Sequence, residues 1–237
     1  MIVVHHLENS RSQRVLWLLE ELGVPYEVKR YARDAQTMLA PPALRAVHPL
    51  GKSPVVTDDG QTVAESGAIV EYLVGRYGQG RLVPPEGTSE RQRYTYWMHY
   101  AEGSLMPPLL LKLVFDRVEG APMPFFVRPI ARGISTKVLE RMVTPNLKRQ
   151  LDFMESALAG SPWFAGAEFS AADIQMSFPL EAAAQRAGLD ASRPPRRVPE
   201  ADPRAPRLQE GARTRRPLQL RERLTEPRPD SGGECRR

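Results

Sequence analysis

Cysteine is nearly absent from this chain. Its 237 residues include a single cysteine, Cys235, so neither a disulfide framework nor a Cys-x-x-Cys redox pair can form within one chain. The four histidines lack the spacing to cysteine or acidic neighbours that is typical of metal ligands, and we expect no metal site. Such sparing use of cysteine is typical of a cytoplasmic protein.

Long apolar runs are missing as well. No stretch approaches the roughly 20 apolar residues that a membrane span needs. The first residues, Met-Ile-Val-Val-His-His, lack the basic region and apolar core of a signal peptide. We therefore expect no membrane segment, and we predict that the chain starts with a β-strand.

Excess charge is confined to the end of the chain. Residues 1–190 contain 20 Lys and Arg against 21 Asp and Glu, whereas residues 191–237 contain 13 Arg against 7 acids. The body therefore gives no electrostatic reason to expect a nucleic-acid partner. With eight prolines and no Phe, Tyr, Trp, Ile or Met, residues 191–237 are predicted to be a disordered Arg/Pro-rich tail.

The first third of the chain alternates between strand and helix patterns. Residues 2–7 and 26–31 are β-rich. Residues 12–22, between them, have apolar side chains at helical spacing and are followed by Gly23, a common helix end. A strand, a helix and a strand within about 30 residues are typical of a parallel βαβ unit.

The next segment completes this domain. A short helix is predicted over residues 34–46, followed by a hairpin whose turn is Asp59-Gly60. Ser66 suits the N-cap of a further helix. The order βαβαββα predicts a thioredoxin-like domain over residues 1–79, in which a parallel and an antiparallel half share one sheet.

Residues 88–190 are predicted to form an all-helical domain, which follows a linker rich in Gly and Pro. Helical patterns cover residues 89–115 and 134–159, and the proline-containing segment 116–129 between them is predicted to be a loop.

Prolines and one cap refine these helices. Pro107-Pro108 should interrupt the first long helix, and Pro145 should kink the second. Ser170 and Asp173 form a capping box that predicts a sharp helix start. This last helix is expected to end at Gly188.

The stretch from Gly51 to Tyr72 is suited to binding a peptide-like anion. Ser53 offers a backbone edge, and Pro54 beside it is either an ordinary trans edge proline or a cis proline. Glu65-Ser66 opens a helix whose N-terminus presents a hydroxyl and free N–H groups. An anionic peptide could be held between these two features.

In combination, these features resemble a cytosolic glutathione S-transferase. The resemblance rests on the order of elements, Ser-Pro-Val-Val at residues 53–56, Glu65-Ser66 and the capping box. Residues 9–14 and 100–107 are similar to the bacterial and fungal serine-type branch of that family. The resemblance covers residues 1 to about 190. It implies a thioredoxin-like domain followed by an all-α domain, a cytoplasmic homodimer, and glutathione as co-substrate.

The resemblance also implies roles for individual residues. Ser10 corresponds to the serine that donates a hydrogen bond to the glutathione thiolate, with Asn9 and Ser12 as alternatives. The residues implied in glutathione binding are His48, Lys52, Ser53, Pro54 (cis), Glu65 and Ser66. The residues implied to line the second-substrate pocket are Tyr96, Trp97, Tyr100 and Met106, although aromatic side chains at helical spacing belong more often to a core.

The implied activity is attack of the glutathione thiolate on an electrophile, or reduction of a hydroperoxide. Two alternatives remain: a non-catalytic binding module, and an isomerase or reductive dehalogenase of the same fold. The lack of cysteine in the turn after the first strand argues against thiol-exchange chemistry of the omega and beta types.

The tail departs from the family, which would place a final helical segment there. Codons permitted by residues 197–220, read one nucleotide out of frame, can encode a helical pattern with an ending typical of the family. We therefore hypothesise a frameshift near residue 192, with a genuine disordered tail as the alternative. The nucleotide sequence of the gene decides between them.

Overall fold

The computed structural model describes residues 1–8 and 10–186. Three sequence-based expectations lie outside the described residues. They concern Asn9, the helix end at Gly188 and the tail over residues 191–237.

A four-stranded mixed sheet forms the first part of the protein. Its strands are β1 (Ile2–Leu7), β2 (Tyr26–Tyr31), β3 (Val55–Asp58) and β4 (Gln61–Ala64), arranged in the order β2-β1-β3-β4. β1 pairs with β2 in parallel and with β3 antiparallel, and β4 returns antiparallel to β3. The predicted mixed thioredoxin-like sheet is confirmed.

Three helices accompany the sheet: α1 (Gln13–Leu22), α2 (Pro42–Val47) and α3 (Ser66–Tyr77). α1 buries its apolar face and ends at Gly23, whose φ of 68° is the left-handed conformation predicted for a glycine C-cap. The helix predicted over residues 34–46 is wrong in its first half. Its start is an Asx-type turn, in which Asp34 Oδ1 accepts the N–H groups of Gln36 and Thr37 at 3.1 and 2.7 Å.

The second part of the protein is helical, as predicted. It contains α4 (Ser89–Tyr100), α5 (Met106–Gly120), α6 (Arg128–Val138), α7 (Thr144–Ala159) and α8 (Ala171–Arg186). One π-helical turn, Ala101–Leu105, joins α4 to α5, and another, Leu139–Val143, joins α6 to α7. None of the helices that the structure describes is long and apolar enough to span a membrane.

The predicted loop over residues 116–129 is wrong at both ends. α5 continues to Gly120 and α6 begins at Arg128, so a shorter connection remains. Pro129 misleads because it lies in the first turn of α6, where the missing N–H has no intrahelical acceptor to lose. The same holds for the prolines at the start of α5 and α7, whereas Pro122 and Pro124 stay in the connection. Pro107 and Pro108 thus start α5, and the interruption is the π-helical turn before them.

α8 packs against both parts of the protein, contacting α1 and α3 in the first part and α4 and α5 in the second. Half of the predicted capping box forms at its start, because the Asp173 N–H donates to the Ser170 carbonyl at 3.1 Å and not to the Ser170 hydroxyl. Asp173 Oδ2 accepts from the backbone N–H and the hydroxyl of Ser170, and Asp173 Oδ1 accepts from Phe164 N, all at 2.9 Å. These bonds fix the start of the helix that joins the two parts.

Candidate active site

Three serine hydroxyls form a row between the end of β1 and the start of α1. Ser10 follows β1, Ser12 occupies the N-cap position of α1, and Ser53 precedes β3. Ser10 Oγ lies 2.9 Å from Ser12 Oγ and 3.1 Å from Ser53 Oγ. The structure therefore brings together Ser10 and Ser53, two of the residues singled out from the sequence.

Backbone and side-chain contacts hold both ends of this hydroxyl row. The Ser53 hydroxyl donates to the His5 carbonyl at 2.8 Å and accepts the Leu7 N–H at 3.2 Å. At the other end, Ser12 Oγ lies 2.6 Å from His6 Nδ1. The Ser53–Pro54 peptide bond is cis, which is the isomer that the resemblance implies.

The beginning of α3 offers a second polar site. Glu65 takes the N-cap position with φ = 70°, and Ser66 is the first helical residue. The sequence-based placement of Ser66 at the N-cap is therefore one residue too late. A left-handed non-glycine residue costs roughly 1–3 kcal/mol, and Glu65 adopts it where the free N–H groups of α3 begin. This N-terminus favours an anion.

A charged cluster missed by the sequence analysis lies beside Ser66. Glu102, in the first π-helical turn, accepts a hydrogen bond from Ser66 Oγ at 3.5 Å. It also pairs with Arg14 (2.9 Å) and Arg11 (3.3 Å) at the start of α1. Both guanidinium groups lie about 5 Å from the Phe178 ring of α8, at 5.2 and 5.5 Å from its centroid.

Arg14 is fully buried in this cluster. Burial lowers the pKa of Arg14 to about 10, while the neighbouring Glu102 carboxylate opposes the change. The arginine is still charged at neutral pH and depends on Glu102 for charge compensation. The sequence contains a sign of this burial, because Arg14 lies four positions before Leu18 and therefore on the apolar face of α1.

Lys52 and His48 lie on the segment between α2 and β3. Lys52 is exposed next to Ser53. His48, at the C-cap of α2, is half-buried, and its Nδ1 atom lacks a hydrogen-bond partner among the described residues.

The aromatic residues of α4 belong mainly to a core. Trp97, Tyr100 and Met106 are each at most 5% exposed, and Tyr96 is 48% exposed. Their ring neighbours include Phe153 of α7 and Phe164, with the Trp97 and Phe164 centroids 4.6 Å apart. Of these four residues, Tyr96 alone has a large exposed surface.

Within residues 1–8 and 10–186, no three histidine, cysteine or acidic side chains cluster closely enough to hold a metal ion. The groups that the site does offer to a ligand are hydroxyl donors, helix N-termini and the Arg14–Glu102 cluster.

Comparison with known proteins gives consistent matches. Residues 1–75 match the glutathione S-transferase N-terminal domain model, and residues 122–196 match the C-terminal domain model. The chain is 46% identical to glutathione S-transferase 3 of Schizosaccharomyces pombe over 77% of this chain and 74% of that protein. It is 35% identical to glutathione S-transferase 1 of Saccharomyces cerevisiae over 78% of this chain and 82% of that protein.

Solved structures agree with these matches. A glutathione S-transferase from Actinobacillus pleuropneumoniae superposes with a TM-score of 0.64 at 27% identity, covering 96% of this chain and 88% of that one. A Phanerochaete chrysosporium transferase solved with oxidized glutathione has a TM-score of 0.64 at 25% identity, covering 81% and 83%. The chain thus belongs to the glutathione S-transferase family.

Proposed function

We propose that this protein binds glutathione, holds its thiol as the thiolate through Ser10, and directs the thiolate at an electrophile. The observation that carries the proposal is the place of the Ser10 hydroxyl. It stands between β1 and α1, within hydrogen-bonding distance of Ser12 and of Ser53, the residue before the cis proline. A hydrogen bond to a charged group contributes about 1.5–3 kcal/mol, which favours the ionised form of a thiol placed there.

Glutathione would lie between the hydroxyl row and α3. The Ser53 backbone would pair with its cysteinyl part beside Pro54, while Glu65, Ser66 and the α3 N-terminus hold the γ-glutamyl end. Glu102 lies 3.5 Å from Ser66 Oγ and supplies a negative charge for the γ-glutamyl ammonium group. Lys52 and His48 would meet the glycyl carboxylate.

The second substrate would be a small electrophile or a hydroperoxide, bound next to Tyr96 and supported by Trp97, Tyr100 and Met106. The rate would come from a high local concentration of thiolate next to the electrophile. We also propose that the protein acts in detoxification in the cytoplasm.

We further propose a homodimer, in which the first domain of one subunit contacts the helices of the other. Large apolar side chains are exposed along α5, along α6 and in the turn that follows α6, and a soluble monomer rarely leaves such a patch uncovered. They are Leu110, Leu111, Val114, Val118, Ile130, Ile134 and Met142.

Replacing Ser10 tests the activity. In Ser10→Ala, kcat/KM for glutathione addition to an aryl chloride should fall about 10- to 100-fold, the equivalent of one charged hydrogen bond. Ser89→Ala, at an exposed serine on α4, is the matched control and should behave like the wild type, as should Asn9→Ala. Glutathione binding without turnover by the wild type would instead favour the non-catalytic binding module.

A further inference from the structure

The hydrogen bonds of the hydroxyl row can be assigned a donor and an acceptor at every contact. Its four contacts are His6 Nδ1 to Ser12 Oγ, Ser12 Oγ to Ser10 Oγ, Ser10 Oγ to Ser53 Oγ, and Ser53 Oγ to the His5 carbonyl. Each contact needs one hydrogen, and each of the three hydroxyls can supply one. The fourth hydrogen has to come from the imidazole.

The carbonyl end sets the order in which the hydrogens are used. A carbonyl oxygen only accepts, so the Ser53 hydroxyl donates to His5, and its two lone pairs take the Leu7 N–H and the Ser10 hydroxyl. Because Ser10 spends its hydrogen on Ser53, Ser12 must donate to Ser10. Ser12 then has no hydrogen left for the imidazole.

We propose that His6 carries its hydrogen on Nδ1 and donates it to Ser12, which donates to Ser10, so that Ser10 can turn its own hydrogen from Ser53 to the glutathione sulfur. His6 and Ser12 are then positioning residues for the thiolate donor. The inference rests on the role of Ser10 proposed above and extends it to two side chains that do not touch the substrate.

Ser12 has an unusual position for this role. It occupies the N-cap of α1 and is fully buried, yet its hydroxyl makes no capping hydrogen bond to α1. Serine at an N-cap normally contributes about 1 kcal/mol through that bond. Here the hydroxyl is directed at His6 and Ser10 instead, which points to a use other than helix stability.

His6 is placed to stay neutral. It is 9% exposed on β1, and its backbone pairs with Arg30 on β2. Burial lowers the pKa of His6, the positive charge of Arg30 lowers it further, and Glu8 on the adjoining turn opposes both. A neutral imidazole has one N–H, so the nitrogen that carries it decides the direction of the whole row.

Arrival of the thiolate would change only one contact. The bond from Ser10 to Ser53 is the longest between side chains in the row, at 3.1 Å, and Ser10 would exchange it for the sulfur. The two donors behind it keep their bonds. Hydrogen bonds that run in one direction polarise each other, so each donor behind Ser10 strengthens its bond to the sulfur.

The tautomer can be measured without any ligand. Nitrogen-15 NMR of the histidine-labelled protein reports which ring nitrogen is protonated, and His6→Asn assigns the His6 signals among the four histidines. We expect hydrogen on Nδ1 of His6. A His6 signal with hydrogen on Nε2 alone would overturn the inference, whether or not the protein binds glutathione.

The effect on the thiolate is measured through its ultraviolet absorbance as the pH is varied. The donors behind Ser10 keep their bonds with the thiol and with the thiolate, so Ser12→Ala and His6→Leu each remove only their polarising effect on the bond from Ser10 to the sulfur. The pKa of bound glutathione should therefore rise by about 0.1–0.7 in each variant. Ser12→Thr and His6→Asn keep a hydrogen-bond donor at the same place, so the pKa of bound glutathione in these variants should stay at its wild-type value. The affinity for S-methylglutathione, which has no thiol, should change less than about twofold.

The outcomes separate the two proposals. If the wild type does not bind S-methylglutathione, the proposed function fails, while the tautomer still tests the direction of the row. If Ser10→Ala raises the thiol pKa but Ser12→Ala and His6→Leu do not, the inference fails and the function of Ser10 stands. Ser12→Ala removes only one oxygen atom and should therefore fold. It tests the effect on the thiol pKa even if His6→Leu does not fold.

Discussion

Two histidines on β1 are buried against neighbouring hydroxyl groups. His5 Nδ1 lies 2.9 Å from the Tyr31 hydroxyl, and His5 Nε2 lies 3.2 Å from Thr57 Oγ1. Burial lowers the pKa of His5, and Lys29 adds to this, just as burial and Arg30 lower the pKa of His6. The folded protein therefore holds both imidazoles in their neutral form.

These histidines predict a loss of stability in mild acid. Unfolded histidine takes up a proton near pH 6.5, and the folded protein does so only at a lower pH. The unfolded state then binds more protons below about pH 6.5, so the free energy of unfolding should fall as the pH decreases, by at most about 1.4 kcal/mol per histidine and pH unit. Urea unfolding at pH 7.5, 6.5 and 5.5 measures this slope.

A variant of the two buried histidines and a variant of an exposed histidine show whether the buried pair causes the pH dependence of stability. The double variant His5→Asn/His6→Asn should show a shallower loss between about pH 6.5 and 5.5, whatever its stability at pH 7.5. His99→Gln, at an exposed histidine on α4, should keep the slope of the wild type. Equal slopes in the double variant and the wild type would contradict the prediction.

At the scale of elements, two glycines with equally open surroundings should respond oppositely to alanine. Gly60 turns the β3–β4 hairpin with φ = 82°, whereas Gly75 lies inside α3. A Cβ atom added at either residue would meet no atom of the described residues within 4 Å. Gly60→Ala should lower the free energy of unfolding by about 1–2 kcal/mol because its φ is left-handed. Gly75→Ala should raise it by about 0.5–1 kcal/mol.

Urea unfolding of the two single variants tests this pair. Because both added methyl groups enter open space, backbone conformation is the difference that the comparison measures. Destabilisation of similar size in both variants would show that the turn conformation is not what requires Gly60.

The prediction of elements from the sequence succeeds where the signal is local. The hairpin turn at Asp59-Gly60 and the Ser170–Asp173 box each depend on residues a few positions apart. The hairpin forms as expected, and in the box Asp173 accepts the Ser170 N–H as expected. The start of α6 is not recognised from the sequence because Pro129 lies in its first turn, where proline is tolerated. Whether Pro124 or Pro129 ends or begins a helix depends on neighbours that the local pattern does not contain.

At the scale of the whole molecule, the Arg14–Glu102 pair joins the two parts of the protein. Arg14 has no exposed side-chain surface, and Glu102 is 32% exposed. Glu102→Gln would remove the carboxylate that pairs directly with the buried guanidinium and, among the described residues, leave only the charge of Glu181 nearby to compensate it. Removing one partner of a buried pair costs about 3–5 kcal/mol, and partial exposure of Glu102 reduces the expected loss to roughly 1–3 kcal/mol.

Glu102→Gln should also weaken binding of S-methylglutathione, because the γ-glutamyl ammonium group would lose its proposed counter-charge. Urea unfolding and calorimetry measure the two effects. The control is Glu119→Gln, which breaks the largely exposed pair with Arg132 on α6 and should cost at most about 1 kcal/mol without changing affinity. Unchanged stability and affinity in Glu102→Gln would contradict the prediction.

Ser10 became the candidate donor only through the resemblance to the family. The sequence by itself determined the order of strands and helices over residues 1–79, the β3–β4 hairpin and the start of α8. These features follow from side-chain period and from contacts within a few residues, which the linear pattern contains. Only the tertiary structure placed Arg14 against Glu102, His6 against Ser12, and Trp97, Tyr100 and Met106 inside an aromatic core. Each of these depends on which faces of distant elements meet, and burial and hydrogen-bond direction are set at that meeting.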